Sequence, residues 1–194
     1  MTHSLSLPKF IFLNAPPGSG KTTLAELLIA NHEVCKLSFA DPIRMALTAT
    51  FYPDNLYTPS SLNLADGETK KSLIPGTQVS HRKWIVEFGR FMHLLHGESI
   101  FGQLAHRATQ EQEMYYRHFL FDDLRTPGDI EPFIRNEGVF RLLIIQIQRP
   151  GCSWTGDLGN WVKPPDVRVI SIQNAGEPAD MLTSLKRELE RLPA

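Results

Sequence analysis

The sequence predicts an α/β fold in which a parallel five-stranded sheet lies between layers of helices. Short apolar runs alternate along the chain with helix-length amphipathic stretches, the pattern of repeated strand–helix units. Most of those runs are apolar at consecutive positions, as strands covered on both faces require. The length of 194 residues and the 42% apolar content suit one domain with a real core.

Lys9–Asn14, KFIFLN, reads as the first buried strand, and Lys21–Asn31 as a helix with Leu24, Leu27 and Leu28 at helical spacing. Val34–Phe39 is the second strand. Asp41–Phe51 is the next helix, with Asp41 placed to cap it and Pro42 suited to its first position. Pro53–Ser80 lacks periodicity and reads as a long irregular loop, the kind that serves as a lid or binding segment. Ser80–His96 is an amphipathic helix with Trp84, Phe88, Phe91 and Leu95 on its core face and Gly97 closing it. A further helix covers Ser99–Tyr116. His118–Asp122 is the third strand, Thr126, Pro127 and Gly138 bracket a helix of about three turns, and Phe140–Gln148 is the fourth strand. Arg149–Asp166 is a Gly- and Pro-rich loop. Val167–Gln173 is the fifth strand, and Pro178–Leu192 a charged terminal helix.

Composition narrows the function. With 20 basic and 21 acidic side chains, the chain has no excess of charge for coating a nucleic acid, although a local basic groove is compatible with it. Cys35 and Cys152 lack metal-ligand spacing and read as free thiols of a reducing compartment. Phe10–Leu13 is too short to span a bilayer, and no signal-peptide pattern precedes it. The expected location is therefore cytoplasmic, with no membrane partner. His81, His93, His96, His106 and His118 lack metal-triad spacing and read as surface or packing residues.

Ala15 to Thr22, A-P-P-G-S-G-K-T, sits between a buried strand and a helix, which is the context a phosphate-binding P-loop needs. Gly18 and Gly20 permit a tight, partly left-handed loop whose N–H groups converge on phosphate oxygens at the positive end of the following helix. Lys21 then reaches the β- and γ-phosphates of ATP, and the Thr22 hydroxyl is a magnesium ligand. Ala15 stands where the motif usually has its first glycine.

Asp122 and Asp123 end the third strand, where ligands bind in open parallel sheets. One of them is the candidate magnesium partner, with Asp122 favoured over Asp123. Asp41, in S-F-A-D-P, is a candidate general base toward an acceptor hydroxyl as well as a helix cap, and Arg44 lies one turn on. Arg125 and Arg149 follow strand ends, where a guanidinium group stabilises the charge of a transferring phosphoryl group. Arg90 is a candidate clamp for an acceptor phosphate. Trp154 and Trp161 lie in a polar loop, where large aromatic side chains need a partner such as a nucleotide base.

L-N-A-P-P-G-S-G-K-T-T (Leu13 to Thr23), S-F-A-D-P-I-R (Ser38 to Arg44), F-D-D-L-R (Phe121 to Arg125) and D-V-R-V-I-S-I-Q-N-A-G (Asp166 to Gly176) resemble the phage deoxynucleoside monophosphate kinase group. The resemblance runs over essentially the whole chain. It implies the nucleoside monophosphate kinase-like version of the P-loop NTPase fold, with residues 1–194 as a single kinase domain, an acceptor-side loop near 53–80 and a lid-like loop near 149–166. It implies ATP and Mg2+ as cofactors. Nucleotide contacts are implied from Ala15, Pro17, Gly18, Ser19, Gly20, Lys21, Thr22, Thr23, Arg149 and Asn174, metal contacts from Thr22 and Asp122, and catalytic roles for Lys21, Asp41, Arg44 and Arg125. Two further segments, Arg149 to Asn160 (R-P-G-C-S-W-T-G-D-L-G-N) and His96 to Gly102 (H-G-E-S-I-F-G), resemble phage P-loop kinases linked to thymine hypermodification. Such enzymes phosphorylate the hydroxymethyl group of 5-hydroxymethyluracil within DNA. The implied partner is DNA containing that base, in a host cytoplasm if the chain is phage-encoded. The alternative acceptor is a free deoxynucleoside monophosphate, and a non-catalytic nucleotide-binding module is a third reading. The arginine-rich lid usual in the family is thin here, since Arg149 is the only arginine between Arg141 and Arg168.

Overall fold

The computed structural model describes residues 7–52, 67–154 and 159–191. Strand β1 (Phe10–Asn14) is buried at all five positions, as its unbroken apolar run requires. Helix α1 (Lys21–Asn31), β2 (Val34–Leu37), α2 (Asp41–Phe51), α3 (Gly67–Lys71), α4 (His81–His96) and α5 (Ile100–Gln112) follow. Then come β3 (His118–Phe121), α6 (Pro127–Glu137), a 3-10 turn at Val139–Arg141, β4 (Leu142–Gln148), β5 (Arg168–Gln173) and α7 (Pro178–Glu190). Among the described residues the strands form one parallel five-stranded sheet in the order β2-β3-β1-β4-β5. The expected fold class is what the structure contains.

The period-two geometry of β1 gives the sheet two unlike faces. Phe10 and Phe12 point to an aromatic layer with Phe39, Phe119, Phe121 and Phe133, under α5 and α6. Phe133 of α6 meets Phe10, Phe12 and Phe121 edge-on at centroid separations of 5.2, 5.1 and 5.3 Å. Truncating so central an aromatic side chain typically removes about 3–5 kcal/mol. Ile11 and Leu13 point the other way, to an aliphatic layer with Leu24 and Leu28 of α1 and Leu185 of α7.

Three elements differ from the sequence reading. The segment expected to be irregular as far as Ser80 contains α3 and an antiparallel bridge between Leu73 and Ser80; positions 53–66 of that loop lie outside the described residues. Ile74 is buried against Leu47 and anchors the segment to α2, a tertiary contact without local periodicity. Helix α4 buries Trp84, Ile85 and Phe88 against the aromatic layer, but Phe91 is 52% and Leu95 57% exposed. Their spacing sets which face of the helix they share; it does not extend the neighbouring layer over the last two turns. Helix α5 ends at Gln112, leaving Met114 and Tyr115 at the surface instead of continuing to Tyr116. No helix among the described residues is long and apolar enough to cross a membrane.

Candidate functional site: a phosphate cradle at the switch point of the sheet

Strand order reverses direction at β1, which has β3 on one side and β4 on the other. A crevice opens outside the carboxyl ends of parallel strands at such a point. The loop Ala15–Gly20 leaves β1 there. Gly18 and Gly20 adopt φ of +78° and +96°, the left-handed region that side chains other than glycine resist. A Cβ on Gly20 would also lie 2.5 Å from Asn174 Nδ2. Helix α1 begins at this glycine with no side-chain cap and no acidic residue in its first turn. Its orphan amides and positive dipole end therefore have no anion of their own, and the cradle fits a phosphate.

Neighbours hold the backbone of the cradle. Asn174 Nδ2 donates to Ser19 O at 2.9 Å and Arg149 Nη1 donates to Gly18 O at 3.0 Å. Both residues were expected to contact nucleotide; here they position the loop that would do so. Lys21 Nζ turns back on the loop, donating to Ala15 O and, at 2.9 Å, to Pro16 O. The Ser19 hydroxyl is buried with no hydrogen-bond partner. Thr22 is exposed and Thr23 half-buried at the start of α1, and Pro17 is exposed on the rim.

The two acids at the end of β3 separate cleanly. Asp122 pairs with Lys36 of β2 at 2.7 Å. Asp123 accepts from the Ser38 hydroxyl and from the amides of Phe39 (3.1 Å) and Ala40 (3.2 Å). Burial and the neighbouring Asp122 charge push the Asp123 carboxyl up, against those hydrogen bonds. Asp123 thus ties the S-F-A-D-P turn to β3, while Asp122 meets the Lys36 ammonium. No cluster of three or more His, Cys, Asp or Glu side chains suited to a metal exists among the described residues. A magnesium ion would rest on Thr22, phosphate oxygens and water as much as on Asp122, which suits that ion's habits.

Asp41 does not cap α2 as expected, because the cap position falls on Ala40. Its carboxylate accepts instead from Ser38 N at 2.9 Å, while Ser38 Oγ accepts from Ala40 N at 3.1 Å. Ser38 and Asp41 thus brace each other across the turn that precedes α2. Arg44 Nη1 closes the group, 2.8 Å from Asp41 Oδ1 and 2.9 Å from Ser38 Oγ. Arg125 belongs to the same side of the crevice. Its amide is held by Asp129 Oδ2 at 3.1 Å, and burial raises the Asp129 carboxyl to about 6. Lys70 of α3 adds a cation that sequence reasoning missed. Burial, then the charges of Arg44, Arg125 and Arg82, hold its ammonium below the ordinary value, with Asp122 opposing. The charges of Arg44, Arg125 and Arg82, from α2, the β3–α6 loop and α4, are thus all felt at Lys70. Arg90 pairs with Glu87 on the exposed side of α4.

Asn14, also missed, ends β1 as a buried hub. Its Nδ2 donates to Leu124 O (3.0 Å) and Asn160 O (2.9 Å), and its Oδ1 accepts from Val162 N at 2.9 Å. One side chain thus fixes both strand-end loops against the root of the cradle. Trp154 and Trp161 meet edge-on at 5.7 Å, and the Trp154 ring lies 5.9 Å from Lys21 Nζ.

Sheet order, cradle and switch-point crevice together define a P-loop NTPase-like α/β protein. No family model matches the chain, and no curated protein matches it. Among solved structures it is similar to an unliganded sugar kinase from Janibacter sp. HTCC2649, at 12% identity over 96% of each chain with a TM-score of 0.44. It is also similar to TT1252 from Thermus thermophilus, at 17% identity over 97% of this chain and 100% of that one, with a TM-score of 0.43. Likeness at that distance distinguishes neither substrate nor chemistry.

Proposed function

We propose that this protein is an ATP- and magnesium-dependent phosphotransferase. The observation that carries the reading is the cradle itself: two left-handed glycines deliver Lys21 and the uncapped start of α1 to the switch point of a parallel sheet. Lys21 would leave its loop carbonyls to neutralise the β- and γ-phosphates. Thr22 and Asp122 would hold the magnesium ion, which draws charge from the leaving diphosphate. The bond from the γ-phosphorus to the bridging oxygen breaks, ADP departs, and the acceptor oxygen takes its place. With a hydroxyl acceptor, the released proton goes to Asp41, already oriented by Arg44 and Ser38 N. Arg44 and Arg125 would stabilise the charge spread over the transferring group.

The acceptor we propose is the hydroxymethyl group of 5-hydroxymethyluracil in DNA, supported by the resemblance of the segments Arg149–Asn160 and His96–Gly102. The cations Arg44, Lys70, Arg82 and Arg125 suit an acceptor that carries phosphate of its own. A DNA strand does so, and so does a free deoxynucleoside monophosphate, the second reading. Offering γ-labelled ATP to hydroxymethyluracil DNA and, separately, to a panel of deoxynucleoside monophosphates separates them. Label on the DNA, absent from unmodified thymine DNA, is expected. Label on free monophosphates alone would replace the first acceptor with the second, and transfer to neither would remove the kinase reading.

A further inference from the structure

We infer that Trp154 is a hydrogen-bond donor to the terminal phosphate of the nucleotide, so that its indole distinguishes a triphosphate from a diphosphate in the cradle. The inference rests on the phosphotransferase reading and specifies a residue which that reading leaves unused. Trp154 Nε1 is buried and has no hydrogen-bond partner. A buried N–H without a partner is destabilising by about 1–3 kcal/mol, and native structures rarely keep one without a use for it.

The ring is held firmly in place. Trp161 packs edge-on against it at 5.7 Å. A Cβ on Gly159 would lie 2.2 Å from the Trp154 ring, so the chain closes on the indole at a position where only glycine fits. Asn160, next along, gives its carbonyl to Asn14 Nδ2 at 2.9 Å and its amide to Arg125 O at 3.1 Å. On the other side of Trp154, Cys152 Sγ lies 3.5 Å from where a Cβ on Gly18 would stand, so this loop packs directly on the cradle.

What the indole faces is set by its neighbours. Its ring is 5.9 Å from Lys21 Nζ, the cation for the outer phosphates. The cradle's other unsatisfied group, the buried Ser19 hydroxyl, is in the same loop as Lys21. A partner for an indole N–H beside that ammonium must be an acceptor and is favoured if negative, which describes a phosphate oxygen. Arg149, the arginine of this loop, is already committed to Gly18 O at 3.0 Å. Trp154 therefore supplies a neutral donor at the place where the γ-phosphate of ATP, absent from ADP, would sit.

The test uses the full chain with 15N-labelled tryptophan, whose three indole resonances are assigned with Trp84→Phe and Trp161→Phe. Binding of magnesium with β,γ-imido-ATP is expected to move the Trp154 Nε1–H resonance downfield, while ADP leaves it within the shifts of the other two. Trp154→Phe is expected to bind ADP like the parent and to lose about tenfold in affinity for the imido analogue. If both nucleotides bind, and Lys21→Ala weakens them, yet the Trp154 resonance stays put or Trp154→Phe keeps the parental ratio of affinities, Trp154 does not read the phosphate. If neither nucleotide binds the parent, the phosphotransferase reading itself is wrong. The resonance measurement on the parent decides the matter even if Trp154→Phe fails to fold.

Discussion

The two ends of the sheet are built on opposite principles. At the amino ends of the strands, charge is matched and locked. Glu137 receives Lys9 Nζ at 3.1 Å, His106 Nε2 at 3.0 Å and Arg141 Nη1 at 3.0 Å, and Lys9 also reaches Glu113 at 2.8 Å. At the carboxyl ends some bonding capacity is held back: the Ser19 hydroxyl and the Trp154 indole are buried without a hydrogen-bond partner, and Lys21 donates to carbonyls of its own loop. One end is saturated and holds the molecule together. The other keeps bonding capacity in reserve, which is what a site for a multiply charged ligand needs.

The contrast is broken most directly by Lys21→Ala. Turnover is expected to fall by about a thousandfold or more, because Lys21 is the cation on the phosphate loop itself, while Arg44 and Arg125 belong to the β2 and β3 side of the crevice. The thermal midpoint should stay within about 2 °C of the parent, since the hydrogen bonds to Ala15 O and Pro16 O lie within one loop at the edge of the crevice. Parental turnover in a steady-state phosphate-transfer assay would remove the functional half of the contrast.

The converse change is Glu137→Ala. Removing this carboxylate takes a partner from His106, Arg141 and Lys9, of which Lys9 keeps Glu113, and urea unfolding should show a loss of about 3 kcal/mol with turnover unchanged well below the midpoint. Its pH dependence has a definite sign. Burial alone would raise the Glu137 carboxyl, but the bonds from His106, Lys9 and Arg141 leave it below its ordinary 4.5. The stabilisation is therefore present above that value and lost as pH falls through the folded one. A variant that is equally stable but slow would place Glu137 at the working end instead.

Asp129→Asn sharpens the comparison by a smaller amount. Burial lifts this carboxyl from 3.8 to about 6 while its oxygen holds the amides of Arg125 and Thr126. A raised carboxylate contributes stability below its unfolded value and loses it as pH rises through about 6. The asparagine chain, which does not titrate, should gain about 1 kcal/mol relative to the parent between pH 5 and pH 8. Parallel stability curves would mean that Asp129 is no more strained than the acids at the saturated end.

What the sequence made legible was local. Gly18, Gly20, Lys21 and Thr22 lie within five positions, so the spacing alone carries the cradle's geometry. The strands declared themselves as apolar runs long enough to need cover on both faces. Asn14 did not, because its partners Leu124, Asn160 and Val162 come from distant parts of the chain and nothing near position 14 announces them. Lys70 was hidden for a similar reason: it belongs to a segment without periodicity, and its cationic neighbours come from other elements. That Asp123 would meet Ser38 and Asp122 would meet Lys36 was not legible either, being a matter of strand register and not of composition. Asp41 was read as the cap of α2, but it is the first residue of that helix and its carboxylate bonds back to Ser38 N.

The strand order also dictates how this molecule is made. Strand β1 is the first to be synthesised, yet it pairs only with β3 and β4. At elongation rates of roughly 5–20 residues per second, the run Phe10–Asn14 waits on the order of ten seconds before β4 is even polymerised. Until β3 and then β4 are made, four consecutive apolar residues, Phe10 to Leu13, lack their strand partners. The same centrality that roots the cradle in the middle of the sheet makes its root the strand that waits longest for its neighbours.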